Sequence, residues 1–321
     1  PYWEHMGTFM GAVQRLSFLL SQGDHVCDVA VMYPVAPMEA GMDGQRAVEV
    51  TFAAGEQLYR AGRDFDFLDF QSLERAELGA GRIDVAGESY RALVMPSMRA
   101  VRHSTLQQAL AFRDRGGLVV ALEHIPEATD HRGRHDPEVA RLDRELFGFS
   151  AEDRPPTGET RKSGPNGRGF GVFLPDAARL RDVIAAEVAP DIAWAGAGAT
   201  AYQHRRIGRS EVYALYGAPR GAEARFRATG RVELWDAWQG AKRAIPAMEQ
   251  EATHTRLRLP LETNELQIIV FNPGVAERGD PPSPAVKVIP VAGPWNCVPE
   301  PTMDNRWGDF RLPVTDTVIG P

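Results

Sequence analysis

Two short clusters of imidazole and carboxylate side chains are the parts of this sequence best suited to acid–base or metal chemistry. The run DHRGRHD at residues 130–136 brings together two imidazoles and two carboxylates, which are ordinary metal ligands. The interleaved arginines repel a cation, so we expect an exposed polar loop there. Glu123 and His124 directly follow an apolar run, and we expect them to pack against other parts of the protein or to lie at an interface rather than to act in catalysis. The sequence therefore predicts no metal site.

Aromatic residues offer a second kind of chemistry, the binding of sugars. Trp235 and Trp238 stand close together in the run ELWDAWQG, and aromatic faces pack on the apolar C–H faces of pyranose rings. The alternative, which we favour, is that these rings fill a core of β-structure. Trp3, Glu4 and His5 precede the first helix, where they would lie at the rim of a barrel. Capping or packing of that helix is again the alternative that we favour.

Alternating helices and strands position these residues in the first part of the chain. Helical spacing of apolar residues predicts helices, and short apolar runs closed by Pro or Gly predict strands that are buried on both faces. Their order predicts a doubly wound α/β domain with a parallel, flavodoxin-like sheet. The predicted helices are 9–20, 47–60, 104–115 with Ser104 as N-cap, 137–147 and 176–188, and the predicted strands are 28–34, 64–70, 91–95 and 118–122, with a hairpin at 82–90.

The helical period ends near residue 195, and short alternating runs take its place. Such runs, separated by turn residues, are typical of an antiparallel β-sandwich. A Pro-rich linker at 276–284 comes next, and Trp295 begins another segment. The predicted sandwich strands are 200–206, 211–216, 222–229, 232–234, 255–259 and 266–271.

Charge and cysteine content exclude several classes of protein. The chain of 321 residues carries a net charge of −7 and no basic cluster, which argues against nucleic acid as a partner. Its apolar runs are too short to cross a bilayer, so we expect no membrane partner. Cys27 and Cys297 are far apart in sequence, and we expect buried, unpaired thiols.

The two ends of the chain indicate a segment of a longer protein. The sequence begins at Pro1 without an initiator Met, inside a predicted helix, and it stops at Pro321 where a strand begins. A helix or strand without neighbours cannot bury its apolar face. We therefore expect further domains on both sides.

An open parallel sheet binds ligands beyond the carboxyl ends of its strands, so the loops after Tyr33, Phe70, Met95 and Leu122 are where a site would lie. None of these loops carries a GxGxxG or Walker motif. In class I amidotransferase-like folds a nucleophilic Cys occupies a strand-to-helix elbow. The corresponding segment here, EHIPE at 123–127, has neither Cys nor Ser, so we expect no acyl transfer.

Several segments, in this order, resemble bacterial α-L-rhamnosidases of glycoside hydrolase family 106. RLSFLLSQG at 15–23 with DVAVMYP at 28–34 is similar to the junction that leaves the catalytic barrel of that family. Further similar segments are YRALVMP at 90–96, QHRR at 203–206, VY at 212–213, ELWD at 233–236 and PTMDNRWGDFRLP at 301–313. Their colinear order makes the resemblance more specific than any single segment.

The resemblance implies a division of the chain into four parts. Residues 1–24 would be the last helix of the (β/α)₈ catalytic barrel, and 25–195 an amidotransferase-like α/β domain. Residues 196–274 would be the β-sandwich, and 275–321 a linker and the start of a further β-domain.

The resemblance also implies an activity, the inverting hydrolysis of terminal α-L-rhamnosides in plant glycosides or polysaccharides. That mechanism uses two carboxylates roughly 6.5–9.5 Å apart. We expect both upstream of Pro1, and no residue of this chain is assigned either role. We expect no cofactor in this segment, although the family implies calcium in the missing part of the barrel. The family suggests a periplasmic or extracellular location.

Two other functions remain open at this point. The first is a carbohydrate-binding or interaction module that uses Trp235 and Trp238. The second is an independent amidotransferase-like enzyme, which the missing nucleophile disfavours. We expect the segment to be mainly structural.

Overall fold

The computed structural model describes residues 3–195, 201–219, 221–259 and 266–279, together with Pro290 and Gly293, but not the side chain of Glu4. The chain divides into two compact units, residues 1–283 and 284–321. The further β-domain predicted from Trp295 lies outside the described residues. All elements named below belong to the first unit.

Helices and strands alternate up to residue 194, and strands follow. The helices are the 3-10 helix Trp3–His5 and α1 (Met6–Leu20), α2 (Val35–Glu39), α3 (Gly44–Arg60), α4 (Phe70–Arg75), α5 (His103–Asp114), α6 (Pro137–Phe147) and α7 (Leu180–Glu187). The strands are β1 (Asp24–His25), β2 (Val29–Met32), β3 (Asp66–Leu68), β4 (Glu77–Gly79), β5 (Arg82–Val85), β6 (Glu88–Tyr90), β7 (Ala92–Pro96), β8 (Ala100–Val101), β9 (Leu118–Leu122), β10 (Ala128–Thr129), β11 (Gly133–Arg134), β12 (Thr160–Ser163), β13 (Phe170–Leu174), β14 (Ile192–Trp194), β15 (Ala201–Ile207), β16 (Ser210–Tyr216), β17 (Glu223–Phe226), β18 (Arg231–Asp236), β19 (Ala241–Ala244), β20 (Glu249–Gln250), β21 (Thr255–Arg258) and β22 (Leu266–Asn272).

A mainly parallel sheet of six strands forms the centre of the first part. Its order is β12-β13-β9-β7-β2-β3, and only the edge strand β12 runs antiparallel. Strands β2, β7 and β9 are buried at every position, which explains their unbroken apolar runs. Helices α3 and α7 pack on one face, and α4, α5 and α6 pack on the other. The predicted mixed α/β architecture with a parallel sheet is confirmed.

Strand β13 was not predicted, although it pairs with β9 inside the parallel sheet. A Cβ atom on Gly171 would lie 1.8 Å from the backbone oxygen of Leu146 in α6. The helix can therefore approach this strand only because residue 171 has no side chain. A glycine inside a short strand with charged flanks hides the strand pattern in the sequence.

Two antiparallel sheets make up the second part and share one apolar core. Their orders are β1-β15-β16-β22-β18-β19 and β14-β17-β21-β20. Tyr213 and Phe271 from the first sheet meet Phe226 from the second in this core. The six strands predicted in this region correspond to β15, β16, β17, β18, β21 and β22, and the antiparallel prediction is confirmed. Strand β1, which precedes the parallel sheet in sequence, pairs with β15 and so links the two parts.

Helix α1 packs on the outer face of the six-stranded antiparallel sheet. Leu16 and Leu19 contact Val212, Ile268 and Val270 of that sheet in a separate small cluster. The rest of the helix leaves large apolar side chains in solvent. These exposed side chains are Met6, Phe9, Met10 and Phe18, and Trp3 in the preceding 3-10 helix is exposed as well.

Two local predictions need correction. The N-cap of α5 is Arg102 rather than Ser104, whose hydroxyl instead donates a hydrogen bond to Glu74. The loop at 130–135 is exposed as predicted, but Asp136 is buried and accepts a hydrogen bond from the backbone N–H of Glu138 as the N-cap of α6. Among the described helices, none combines the length and the apolarity that a membrane crossing requires.

Helix α6 contains a carboxyl group whose burial makes the stability of the protein depend on pH. Asp143 is fully buried, and neither of its carboxylate oxygens has a hydrogen-bond partner in the described structure. Burial raises the pKa of Asp143 to about 8, against a small opposing effect of Arg144. The folded protein therefore holds this proton over a pH range in which the unfolded chain releases it.

We expect Asp143→Asn to stabilise the protein relative to wild type increasingly between about pH 4 and pH 8. The unfolded state loses the proton first, so wild-type stability falls with rising pH by up to about 1.4 kcal/mol per pH unit in this interval, and Asn removes that loss. Urea unfolding at several pH values measures the difference. Glu145→Gln on the exposed face of α6 is the control and should show no such trend. A constant difference between Asp143→Asn and wild type would contradict the prediction.

Candidate functional site

Two histidines, each lying between two carboxylates, mark the junction of the parallel and the antiparallel sheets. His25 is on β1 and His204 is on β15. These strands pair antiparallel with His25 opposite Arg205, so the two histidines occupy neighbouring positions in the ladder. Each imidazole has both ring nitrogens in contact with a carboxylate. We call His25 with Asp64, Asp66, Cys27 and Glu88 the His25 cluster. We call His204 with Asp191, Glu211 and Arg227 the His204 network.

The His204 network is almost completely buried. The Nδ1 atom of His204 lies 2.8 Å from Asp191 Oδ2, and its Nε2 atom lies 2.9 Å from Glu211 Oε2. The imidazole stacks on the ring of Tyr213 at a centroid distance of 3.9 Å. Because an imidazole with an acceptor on each nitrogen must donate twice, His204 is an imidazolium ion here.

The pKa values of the network agree with this charge state. Burial by itself lowers the pKa of His204, but the hydrogen bonds to Asp191 and Glu211 raise it on balance. Burial by itself raises the pKa of Asp191, but the hydrogen bond and charge of His204 and the charge of Arg227 hold it below its ordinary value. Both shifts favour the ionised forms of His204 and Asp191.

Arg227 extends the network to the parallel sheet. Its Nε atom donates to Asp191 Oδ1 at 2.9 Å, and its two Nη atoms reach the two oxygens of Asp28 at 3.2 and 2.9 Å. Asp28 directly precedes β2, the strand that lies between β3 and β7. One guanidinium thus joins a carboxylate of each part of the fold.

The His25 cluster lies at the edge formed by β1, β3 and β6. His25 Nε2 donates to Asp64 Oδ2 at 2.7 Å, and His25 Nδ1 donates to Asp66 Oδ2 at 3.0 Å. The same oxygen of Asp66 accepts from Cys27 Sγ at 3.2 Å and from Tyr90 Oη at 3.1 Å. A single carboxylate oxygen therefore faces three donors.

Glu88 completes the cluster. Its Oε2 atom is buried without a hydrogen-bond partner in the described structure and lies 4.0 Å from His25 Nδ1. One ligand atom from each of His25, Cys27, Asp66 and Glu88 falls within 4.8 Å of the others. Imidazole, thiolate and carboxylate are all metal ligands, so these four residues could hold a metal ion.

Burial and mutual charge shift the pKa values of the cluster. Burial lowers the pKa of His25, but the hydrogen bonds and charges of Asp64 and Asp66 raise it on balance to about 10. Burial, supported by the charge of Asp66, raises the pKa of Glu88 to about 7. Burial and the neighbouring carboxylates also raise the pKa of the Cys27 thiol. The thiol is therefore protonated and unreactive unless a cation joins it.

The carboxyl edge of the parallel sheet has an elbow without a nucleophile. Glu123 follows β9 with a φ of 61°, a left-handed conformation typical of strained functional turns. Arg46 binds both of its carboxylate oxygens, at 2.8 and 2.6 Å. Ser97 Oγ is hydrogen bonded to His124 Nδ1 at 3.0 Å, but Ser97 is fully buried. A substrate carbonyl cannot reach this hydroxyl, so the pair is not arranged for acyl transfer.

The structure places the tryptophan pair at the contact between α1 and the antiparallel sheet. Trp235 lies on β18, half-buried in the small cluster beneath α1, and its Nε1 atom donates to Glu233 at 3.0 Å. Trp238 follows that strand, is 56% exposed and lies 6.2 Å from the ring of Phe9. Arg15 holds the segment by donating to the backbone oxygens of Ala237 and Trp238.

Residues Trp3–His5 form the 3-10 helix that precedes α1. Trp3 is 83% exposed, and His5 is exposed as the N-cap residue of α1, without a side-chain capping hydrogen bond. The side chain of Glu4 lies outside the described part of the structure.

Sequence reasoning missed both histidine groups. A signal for the His25 cluster was present, because His25 and Cys27 stand two residues apart, as do Asp64 and Asp66, and alternate residues of an extended segment share a face. The two pairs are about 40 residues apart in sequence, however, and only the pairing of the strands brings them together.

Comparison with solved structures shows the fold first. The arrangement of a parallel sheet followed by antiparallel sheets is similar to parts of longer glycosidase chains. It matches a rhamnosidase from Novosphingobium sp. PP1Y with a TM-score of 0.60 and 22% identity, over 89% of this chain and 26% of that one. Gan42B, a GH42 β-galactosidase from G. stearothermophilus, matches with a TM-score of 0.52 and 11% identity, over 81% and 42% of the two chains. A β-galactosidase from Bacillus circulans sp. alkalophilus matches with a TM-score of 0.50 and 14% identity, over 81% and 44%.

The family follows from the sequence itself. The profile of glycoside hydrolase family 106, α-L-rhamnosidase, matches residues 2–249, which is most of the chain. The chain therefore belongs to this family, as the resemblance predicted. It spans about a quarter of the length of the solved rhamnosidase that it matches. No curated protein matches it.

We expect Arg227→Met to destabilise the protein by about 3 kcal/mol, because it leaves the carboxylates of Asp28 and Asp191 without their shared cation. Arg225→Met is the matched control, since Arg225 lies two residues away and pairs with Glu251 at the surface. It should leave stability almost unchanged. Chemical denaturation monitored by tryptophan fluorescence measures both variants, and equal effects would contradict the role given to Arg227.

Proposed function

We propose that this chain is the structural, accessory portion of an inverting α-L-rhamnosidase that acts on terminal α-L-rhamnosides. The observation that carries the proposal is the buried network of Asp28, Arg227, Asp191 and His204, whose charged groups are committed to one another. Groups bound in this way join sheets and are not free to transfer protons to a sugar. Membership of the rhamnosidase family supplies the activity of the parent protein.

The parallel sheet is, in this proposal, an amidotransferase-like domain that has no amidotransferase activity. Glu123 occupies the elbow where such enzymes carry a nucleophilic cysteine, and Arg46 neutralises its charge. A carboxylate bound by a guanidinium on both oxygens is a poor nucleophile and a good structural contact. The rival reading as an independent amidotransferase-like enzyme is therefore disfavoured.

We further propose that the division into 1–24, 25–195, 196–274 and 275–321 reflects the domains of the parent enzyme, with α1 as the last barrel helix. The exposed side chains of Met6, Phe9, Met10 and Phe18 give α1 an apolar surface. Apolar surface of this kind favours a protein contact. The barrel would cover it, and the catalytic acid and base would come from the barrel.

A carbohydrate-binding module is the second candidate. Trp238 supports it, because more than half of its side chain is exposed and the ring of Phe9 lies beside it. Trp235 supports it less, since it packs beneath α1. Retention on a rhamnose-containing polysaccharide that Trp238→Ala abolishes and Trp235→Phe preserves would favour this candidate over a structural role.

We expect the chain alone to hydrolyse no aryl α-L-rhamnoside, while the longer rhamnosidase that contains it does so with inversion, because the carboxylate pair is expected outside this chain. Release of the aryl group measures turnover, and NMR of the first-formed sugar gives the anomer. In the longer enzyme, Arg227→Met should shorten the half-life on heating and leave kcat at low temperature within about a factor of three. Turnover by the chain alone, or a hundredfold loss of kcat in this variant while it remains folded, would contradict the proposal.

A further inference from the structure

We propose that His25, Cys27, Asp66 and Glu88 form a structural zinc site that ties together the segments at β1, β3 and β6. This proposal does not depend on the rhamnosidase activity. It departs from the sequence analysis, which expected no metal in this chain.

The spacing of the four ligand atoms is near that of a tetrahedral zinc site for the pairs whose distances the structure gives. With zinc–ligand bonds of about 2.0–2.3 Å, the ligand atoms of a tetrahedral site are about 3.3–3.6 Å apart. His25 Nδ1 lies 3.0 Å from Asp66 Oδ2 and 4.0 Å from Glu88 Oε2, and Cys27 Sγ lies 3.2 Å from Asp66 Oδ2. All four atoms lie within 4.8 Å of one another, so small movements of the side chains would place them around one ion.

Residues next to the candidate ligands form the hydrogen bonds that hold ligands in position in metal sites. Metal-bound histidines commonly donate their other ring N–H to a carboxylate, which fixes the ring. Asp64 accepts in this way from His25 Nε2 at 2.7 Å. Tyr90 donates to Asp66, which holds that ligand in turn. The cluster thus contains both the candidate ligands and the residues that would hold them in position.

The unpaired oxygen of the cluster also points to a cation. Three carboxylates, from Asp64, Asp66 and Glu88, meet a single imidazolium, and Glu88 Oε2 is buried without a hydrogen-bond donor in the described structure. A buried acceptor without a partner costs free energy. A divalent ion would give this oxygen its partner.

Zinc fits the donor set better than calcium or magnesium does. Thiolate and imidazole are ligands of zinc and related transition metals, whereas calcium and magnesium prefer oxygen. On binding, the thiol of Cys27 and the Nδ1 position of His25 each release one proton to the buffer, and zinc takes their places. The alternative is that hydrogen bonds alone hold the cluster together without a metal ion. We call this alternative a hydrogen-bond lock, and it is one outcome of the test.

The test measures zinc and cobalt binding by the whole chain carrying Cys297→Ser, so that Cys27 is its only thiol. We expect one zinc ion per chain after gel filtration, by elemental analysis. With Co²⁺ we expect a near-ultraviolet thiolate-to-metal charge-transfer band and the intense visible bands of a tetrahedral site. Zinc should also raise the melting temperature.

Variants separate a metal site from a hydrogen-bond lock. Glu88→Gln removes a ligand whose Oε2 has no hydrogen-bond partner, so the fold should persist while zinc affinity falls at least about tenfold. Cys27→Ser should remove the charge-transfer band, and Asp64→Asn should weaken binding about tenfold or more. Glu77→Gln, an exposed carboxylate on β4, is the control and should change nothing.

Circular dichroism of the metal-free variants verifies that each is folded. Stoichiometric zinc with a charge-transfer band that depends on Cys27 supports the site. Absence of zinc binding by the folded parent chain, or binding that Glu88→Gln and Cys27→Ser leave intact, would overturn it and leave the hydrogen-bond lock.

Discussion

The double ion pair of Arg227 with Asp28 and Asp191 is the interaction on which the rest of the structure depends. Asp28 precedes a central strand of the parallel sheet, and Asp191 precedes the first strand of the smaller antiparallel sheet. Because these carboxylates are almost fully buried, each needs its cation, and the cation can serve both only if the two sheets keep one relative position. His204 holds Asp191 from the other side. The burial of these charges thus determines how the parallel sheet and the smaller antiparallel sheet are placed relative to each other.

The sequence predicted the layers of the fold better than the groups between them. Strands β2, β7 and β9 were predictable because each is a continuous apolar run, and local pattern is enough to identify such strands. Strand β13 was not predictable, since Gly171 is required there by the close approach of α6. The histidine groups were missed for a different reason. His25 meets Asp66, and Arg227 meets Asp28, only after distant strands have paired, and no local pattern records such contacts.

The proposed function implies a division of labour within a larger enzyme. Family 106 membership supplies a glycosidase, whereas the groups of this chain that are best placed for chemistry are bound to one another. Glu123 follows β9 in a left-handed conformation, and Arg46 binds its carboxylate. In the proposed function, this sheet serves the packing of the enzyme and performs no chemistry of its own. The proposed zinc site would add a second tie at the same junction.

A double-mutant cycle between Asp28 and Arg227 tests the central claim most directly. The free energy of unfolding would be measured for wild type, Asp28→Asn, Arg227→Met and the double variant. The buried geometry predicts a coupling energy of about 2 kcal/mol, in the upper part of the range for residues in contact. A coupling energy close to zero, as for a pair at the surface, would contradict the claim that this ion pair holds the two sheets together.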